Sequence, residues 1–80
     1  MLYYVYILKC KDSSLYVGYT TNIERRLRAH NLSKIGAKYT KARRPVVLVH
    51  TEKFRSLSRA LKREHEIKSW TRKKKLALIA

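Results

Sequence analysis

Two short runs rich in β-branched and aromatic residues, 2–8 and 15–19, flank the polar cluster Lys11-Asp12-Ser13-Ser14. That spacing constrains the chain most, because so short a gap admits an antiparallel hairpin and no crossover. Side chains alternate along a strand, so Leu15, Val17 and Tyr19 share one face and Tyr16 and Gly18 the other. Thr21 followed by Glu24 has capping-box spacing and opens a helix to about residue 30 or 31. Its Ile23 and Leu27 point inward, while Asn22, Arg26 and His30 share a separate stripe. Residues 33–44 read as a basic loop closed by Pro45, and 46–52 as a third strand whose apolar start suits burial on both faces. Ser56 or Ser58 caps a second helix through about residue 70, and Thr71 caps a short third one. The order β-β-α-β-α-α predicts an α/β (α+β) fold with a small three-stranded antiparallel sheet, as a single domain over residues 1–80.

The charge says what such a domain meets. Twenty Lys and Arg against five Asp and Glu give +15 on 80 residues. Self-repulsion of that size weakens a compact state, and a polyanion relieves it. The basic residues run along the whole chain instead of forming one helix face, which argues against a lipid surface, and solubility needs far less charge. Nucleic acid is the expected partner. Cys10 is the only cysteine, so no internal disulfide forms, and with His30, His50 and His65 it makes no zinc-ligand spacing. The apolar start is too short for a secretory signal, and no run approaches membrane-spanning length. A reducing, cytoplasmic setting is expected.

The second helix carries an anomaly. Turning 100° per residue, Leu57, Ala60, Leu61 and Ile67 form its inward stripe, and Glu64 falls among them while Glu66 points away. A carboxylate facing a core costs several kcal/mol, on the order of a lost hydrogen bond or more, unless a cation or donors await it. Glu64 is therefore either half of a structural ion pair or a metal-binding or acid/base group on the floor of a cleft. Arg26 and His30, one turn apart, are either a solvated basic face or a phosphate grip with a proton donor. Six tyrosines against one phenylalanine is an unusual ratio. Tyr4 and Tyr6 share a strand face, with Tyr16 on the partner strand, and they either pack with their hydroxyls at the rim or line a site.

In this order the motifs resemble the GIY-YIG nuclease superfamily, in particular its small standalone members. Tyr4-Val5-Tyr6 and Tyr16-Val17-Gly18 are similar to the two half-motifs, and residues 22–30 to the helix that follows, with Arg26 and His30 at its arginine and histidine/tyrosine positions. Ala60-Leu61-Lys62-Arg63-Glu64 resembles the segment with the family's metal-binding glutamate. The resemblance implies hydrolysis of a phosphodiester, structure- rather than sequence-selective and on DNA before RNA, with one divalent ion, Mg²⁺ or Mn²⁺. Glu64 would hold the ion, Arg26 the phosphate, and Tyr6 or Tyr16 would act as base or orient water with help from His30. Lys34, Lys38, Lys41, Arg43, Arg44, Arg72, Lys73, Lys74 and Lys75 would bind backbone phosphates. The alternative is a nucleic-acid-binding module that keeps the fold with weak or absent catalysis, or a subunit that a partner protein targets.

Overall fold

The computed structural model describes residues 1–32 and 38–80. Strand β1 (Tyr3–Lys9) lies at the centre of a sheet in the order β2-β1-β3, between β2 (Leu15–Thr20) and β3 (Val47–Phe54), antiparallel to both. Helix α1 (Ile23–Leu32) and the single turn α2 (Lys38–Lys41) lie between β2 and β3; α3 (Leu57–Lys68) and α4 (Arg72–Ile79) follow. The expected architecture is present, with one addition. Residues 38–41 of the expected loop form a helical turn.

Both faces of the sheet are covered, and alternation along β1 decides what lies on each. Val5 and Ile7 join Val17, Ala60 and Ile67 in one cluster, against which Trp70, Leu78 and Ile79 also pack. Tyr6, Leu8 and Cys10 face the other way, with Val46, Tyr16, Ile23 and Leu27. A fully buried aliphatic side chain contributes roughly 1.5–3 kcal/mol, so the central strand anchors two small cores at once.

The turn before β2 is built by the side chain of Asp12. Its carboxylate accepts from the Ser14 amide (3.0 Å) and hydroxyl, while Ser13 adopts a left-handed φ of 68°. Three local expectations need correction. The first cap is Asn22, whose Oδ1 accepts from the Arg25 amide at 3.0 Å, and not the Thr21–Glu24 box. Thr20 explains the shift: its hydroxyl accepts from the Asn22 amide and donates to the Asn22 carbonyl, which carries the chain one residue further before the helix begins. Strand β3 is an edge strand, so Val47 and Leu48 stay 54% and 37% exposed in place of burial on both faces. On α3, Leu57 and Leu61 are 40% and 39% exposed, because so narrow a sheet leaves room under the helix only for Ala60 and Ile67. Glu52 is partly buried as well. Of the two candidates Ser56 and Ser58, Ser56 caps α3, and Thr71 caps α4 as expected.

Ion pairs fasten α3 to the sheet. Arg63 donates to both oxygens of Glu52, at 2.8 and 3.1 Å, and to Glu66 at 2.8 Å; His50 also meets Glu52 at 2.8 Å. Trp70 packs against the core, with the cations of Arg63 (5.0 Å) and Lys74 (4.5 Å) over its ring. The hydrogen bonds from Arg63, with smaller help from His50 and against the effect of burial, hold the Glu52 carboxyl below the usual carboxylate range. A carboxylate whose folded pKa is depressed gives stability that is present above its unfolded pKa and lost as pH falls through the folded value. Glu52→Gln should therefore lower stability at neutral pH by about 1 kcal/mol, the pair being partly exposed. In strong acid the wild type should converge on the variant. Urea melts at the two pH values check this, and an equal gap at both would refute it.

Candidate active site

The site begins where β1, β2 and α1 meet. Tyr6 lies opposite Gly18 in the hairpin. A Cβ at position 18 would stand 2.6 Å from the Tyr6 hydroxyl and 2.7 Å from its ring carbon. The missing side chain is what lets the phenol lie across β2. Its hydroxyl then meets His30 Nε2 at 2.9 Å, and His30 Nδ1 meets the Thr40 hydroxyl at 2.8 Å. The Tyr16 ring completes the group, 6.3 Å from Tyr6 and 5.0 Å from His30 between centroids.

His30 is fully buried, as is Thr40. Burial first, then the cations of Arg26 and Arg44, lowers the imidazole pKa. A neutral ring has one donor and one acceptor. Tyr6–His30–Thr40 is thus a hydrogen-bonded relay that is satisfied in either direction, with both ring nitrogens occupied. Burial also pushes the Tyr6 phenol well above its ordinary value, assisted by Tyr16; Arg26 opposes the shift and the negative charge of Glu64 adds to it. Arg26 and Glu64 thus both act electrostatically on the same hydroxyl.

Arg26 is half-buried, and its guanidinium takes part in none of the ion pairs or hydrogen bonds among the described residues. It lines the packed region under Tyr6, Leu8 and Leu27, and also an open cleft of about 300 Å³ shared with Thr20, Arg25 and Ala29. A guanidinium held there matches the two-pronged geometry of a phosphate. The Glu64 side chain is 14% exposed, and its one ion pair among the described residues is a loose contact of 3.6 Å to the exposed Lys68, one turn along α3.

The structure thus groups Tyr6, Tyr16, His30 and Arg26 and brings Glu64 within electrostatic reach of Tyr6. The basic residues divide. Arg43 donates to Asp12 (3.0 Å) and to the Tyr39 carbonyl (2.9 Å), and Arg44 donates to the carbonyls of Ala29 and His30 at the end of α1, so both are engaged by the protein itself. Lys41, Arg72, Lys73 and Lys74 are exposed and Lys75 is half-buried. Lys34 and the side chain of Lys38 lie outside the described residues.

Sequence reasoning missed three contributors. Asn31 pairs through both side-chain polar groups with the backbone of Val46, at 2.7 and 3.0 Å. Thr40 completes the His30 relay, and Tyr39 sets its ring 6.0 Å from that of Tyr16. The last two lie in the segment read as a loop, where the only available signal was an aromatic amid basic residues.

These features define a nuclease-like domain whose partner class is nucleic acid. The family model of the GIY-YIG catalytic domain matches residues 2–77, and the chain belongs to that family. It is 62% identical over 77 residues to a UPF0213 protein of Staphylococcus haemolyticus, covering 96% of this chain and 93% of that one. A UPF0213 protein of Natronomonas pharaonis is 59% identical, with 98% and 91% covered. The solution NMR structure of a UPF0213 protein from Bacillus halodurans superposes with a TM-score of 0.64 at 49% identity, covering 99% of this chain and 83% of that one. Among the described residues, no helix is long and apolar enough to cross a membrane.

Nucleases of this domain type generally depend on a metal. The donor set here suits a hard, well-hydrated ion bound mainly through substrate and water. Among the described residues no three His, Cys, Asp or Glu gather into a cage. Glu64 offers a sheltered carboxylate whose lysine partner is loosely held. Mg²⁺ typically takes one or two carboxylates and fills its remaining positions with phosphate oxygens and water.

Proposed function

We propose that this protein hydrolyses one strand of DNA at a phosphodiester bond, recognising the form of the substrate more than its sequence, with one divalent ion, Mg²⁺ or Mn²⁺. The observation that carries the reading is half-buried Arg26, its guanidinium without an ion pair or hydrogen bond among the described residues, beside a relay of Tyr6, His30 and Thr40. Glu64 holds the ion, which when bound supplies charge stabilisation at the phosphate and the leaving oxygen. Arg26 seats the scissile phosphate and offsets the charge that develops as water attacks phosphorus. Attack forms a P–O bond to water and breaks the P–O bond to the leaving sugar oxygen, which takes up a proton. Tyr6, kept protonated by burial, orients the water with its hydroxyl steadied by His30. The less buried Tyr16 is then the better candidate to accept the proton of that water. A free phenol has a pKa near ~10, so it serves only beside a cation.

The exposed lysines and arginines, with Arg25 beside the cleft, bind the backbone. Their scatter suits contacts to phosphates, which position a strand without reading it. The free thiol of Cys10 suits a reducing cytoplasm.

A second reading has its own support. The Tyr6 phenol is pushed up and both His30 nitrogens are occupied, as a binding module with weak chemistry would tolerate. Cleavage of nicked, branched and supercoiled DNA, and of RNA, with and without Mg²⁺ or Mn²⁺, separates the two. The nuclease reading expects metal-dependent cleavage that Glu64→Ala abolishes. Tight metal-independent binding unchanged by Glu64→Ala, with nothing cut, would establish the binding module.

A further inference from the structure

We infer that Tyr39 is a stacking platform for an unpaired nucleobase beside the scissile phosphate, with Arg43 as its support. The location rests on the proposed nuclease site; the stacking does not require cleavage. Tyr39 is 40% exposed, yet its position is closely determined. The next residue, Thr40, is buried and bound to His30. The Arg43 guanidinium lies 4.1 Å from the Tyr39 ring centroid, donates to the Tyr39 carbonyl at 2.9 Å, and is itself held by Asp12 at 3.0 Å. The Arg43 carbonyl accepts from the Lys11 amide at 2.9 Å, so the hairpin turn and the end of α2 are clipped together under the ring.

Such an arrangement is a poor way to bury an aromatic and a good way to present one. Core packing would place the ring inside, whereas here the fold commits a guanidinium and a carboxylate to steadying a ring that still meets solvent. Tyr39 also continues the row of rings from the reaction centre, 6.0 Å from Tyr16, which is 5.0 Å from His30. In so basic a chain the aromatic group reaching that ring is most simply a base of the bound strand. Bases within a duplex are already stacked on both sides. Only a base splayed out at a flap, branch or single-stranded stretch can use a protein ring. Tyr39 would thus convert backbone-directed binding into preference for substrates with an unpaired nucleotide next to the cut.

The test measures metal-free binding of a single-stranded oligonucleotide carrying a fluorescent aminopurine, and of the same strand annealed to its complement. Wild type and Tyr39→Phe should quench the single strand and bind it equally. Tyr39→Leu, which keeps apolar bulk without a π-face, should lose the quenching and about tenfold in single-strand affinity. Its duplex affinity and melting temperature should match the wild type. Equal behaviour of Leu and wild type on the single strand, or an equal loss on strand and duplex, overturns the inference. A protein that quenches through Tyr39 but cuts nothing refutes only the nuclease reading; one that cuts with no dependence on Tyr39 refutes only the platform.

Discussion

Arg26→Ala should reduce strand cleavage by about 10²–10³-fold, the usual cost of removing one preorganised donor from a transition state that gathers negative charge. Its melting temperature should stay that of the wild type. Most arginines that matter to a fold are tied down, as Arg63 is by two glutamates and Arg44 by the carbonyls at the end of α1. Arg26 has no such bond among the described residues, so its removal breaks none. Arg26→Lys should recover only part of the loss, because an ammonium keeps the charge but not the planar fork. The variant also has a signature independent of cleavage. Arg26 is one of the cations that hold the His30 pKa down, so the imidazole should titrate at higher pH in Arg26→Ala, measurable by NMR. Single-turnover cleavage at wild-type rate would remove Arg26 from the chemistry.

Gly18→Ala should cost about 1–3 kcal/mol of stability, typical of overpacking, and should disable the site as well. The new methyl group would meet the Tyr6 hydroxyl at 2.6 Å and its ring carbon at 2.7 Å. A side-chain tip can often swing aside cheaply. This one cannot, since Tyr6 is 3% exposed and its hydroxyl is bonded to His30. Displacing it breaks the relay at its first link. A double-mutant cycle isolates the cause: in a Tyr6→Ala background, Gly18→Ala should cost almost nothing. A full penalty in that background would mean that the backbone of β2, and not the phenol, requires glycine.

Much of the fold is visible in local patterns. The hairpin follows from the spacing of two apolar runs around Asp12, and both later helix caps, Ser56 and Thr71, from residues whose short side chains reach a backbone amide three positions on. The readings that failed needed knowledge of the neighbours. Leu57 and Leu61 have the right helical phase for a core, but the sheet beneath is only three strands wide. Val47 and Leu48 read as doubly buried, and only the order β2-β1-β3 leaves them on an edge. Thr21 lost its capping role to Asn22 because Thr20, at the end of β2, bonds to Asn22.

The same division runs through the site. Spacing made Tyr6, Tyr16, Arg26, His30 and Glu64 candidates, because strand and helix periods are properties of the chain itself, and the family resemblance singled them out. What each can do could not be read that way. Whether a phenol is held protonated, an imidazole is enclosed by two hydroxyls, or a guanidinium finds no partner among the described residues depends on residues distant in sequence. Tyr6 meets His30 24 positions away, and Arg43 meets Asp12 31 positions away. The sequence by itself determined every element but the short α2, their order and the basic, nucleic-acid-seeking character of the chain. The tertiary structure alone decided that Arg43 and Arg44 bond within the protein and that Tyr39 stands beside Tyr16. Charge and periodicity are summed along a chain, whereas burial and hydrogen-bond partnership exist only once distant segments share a place.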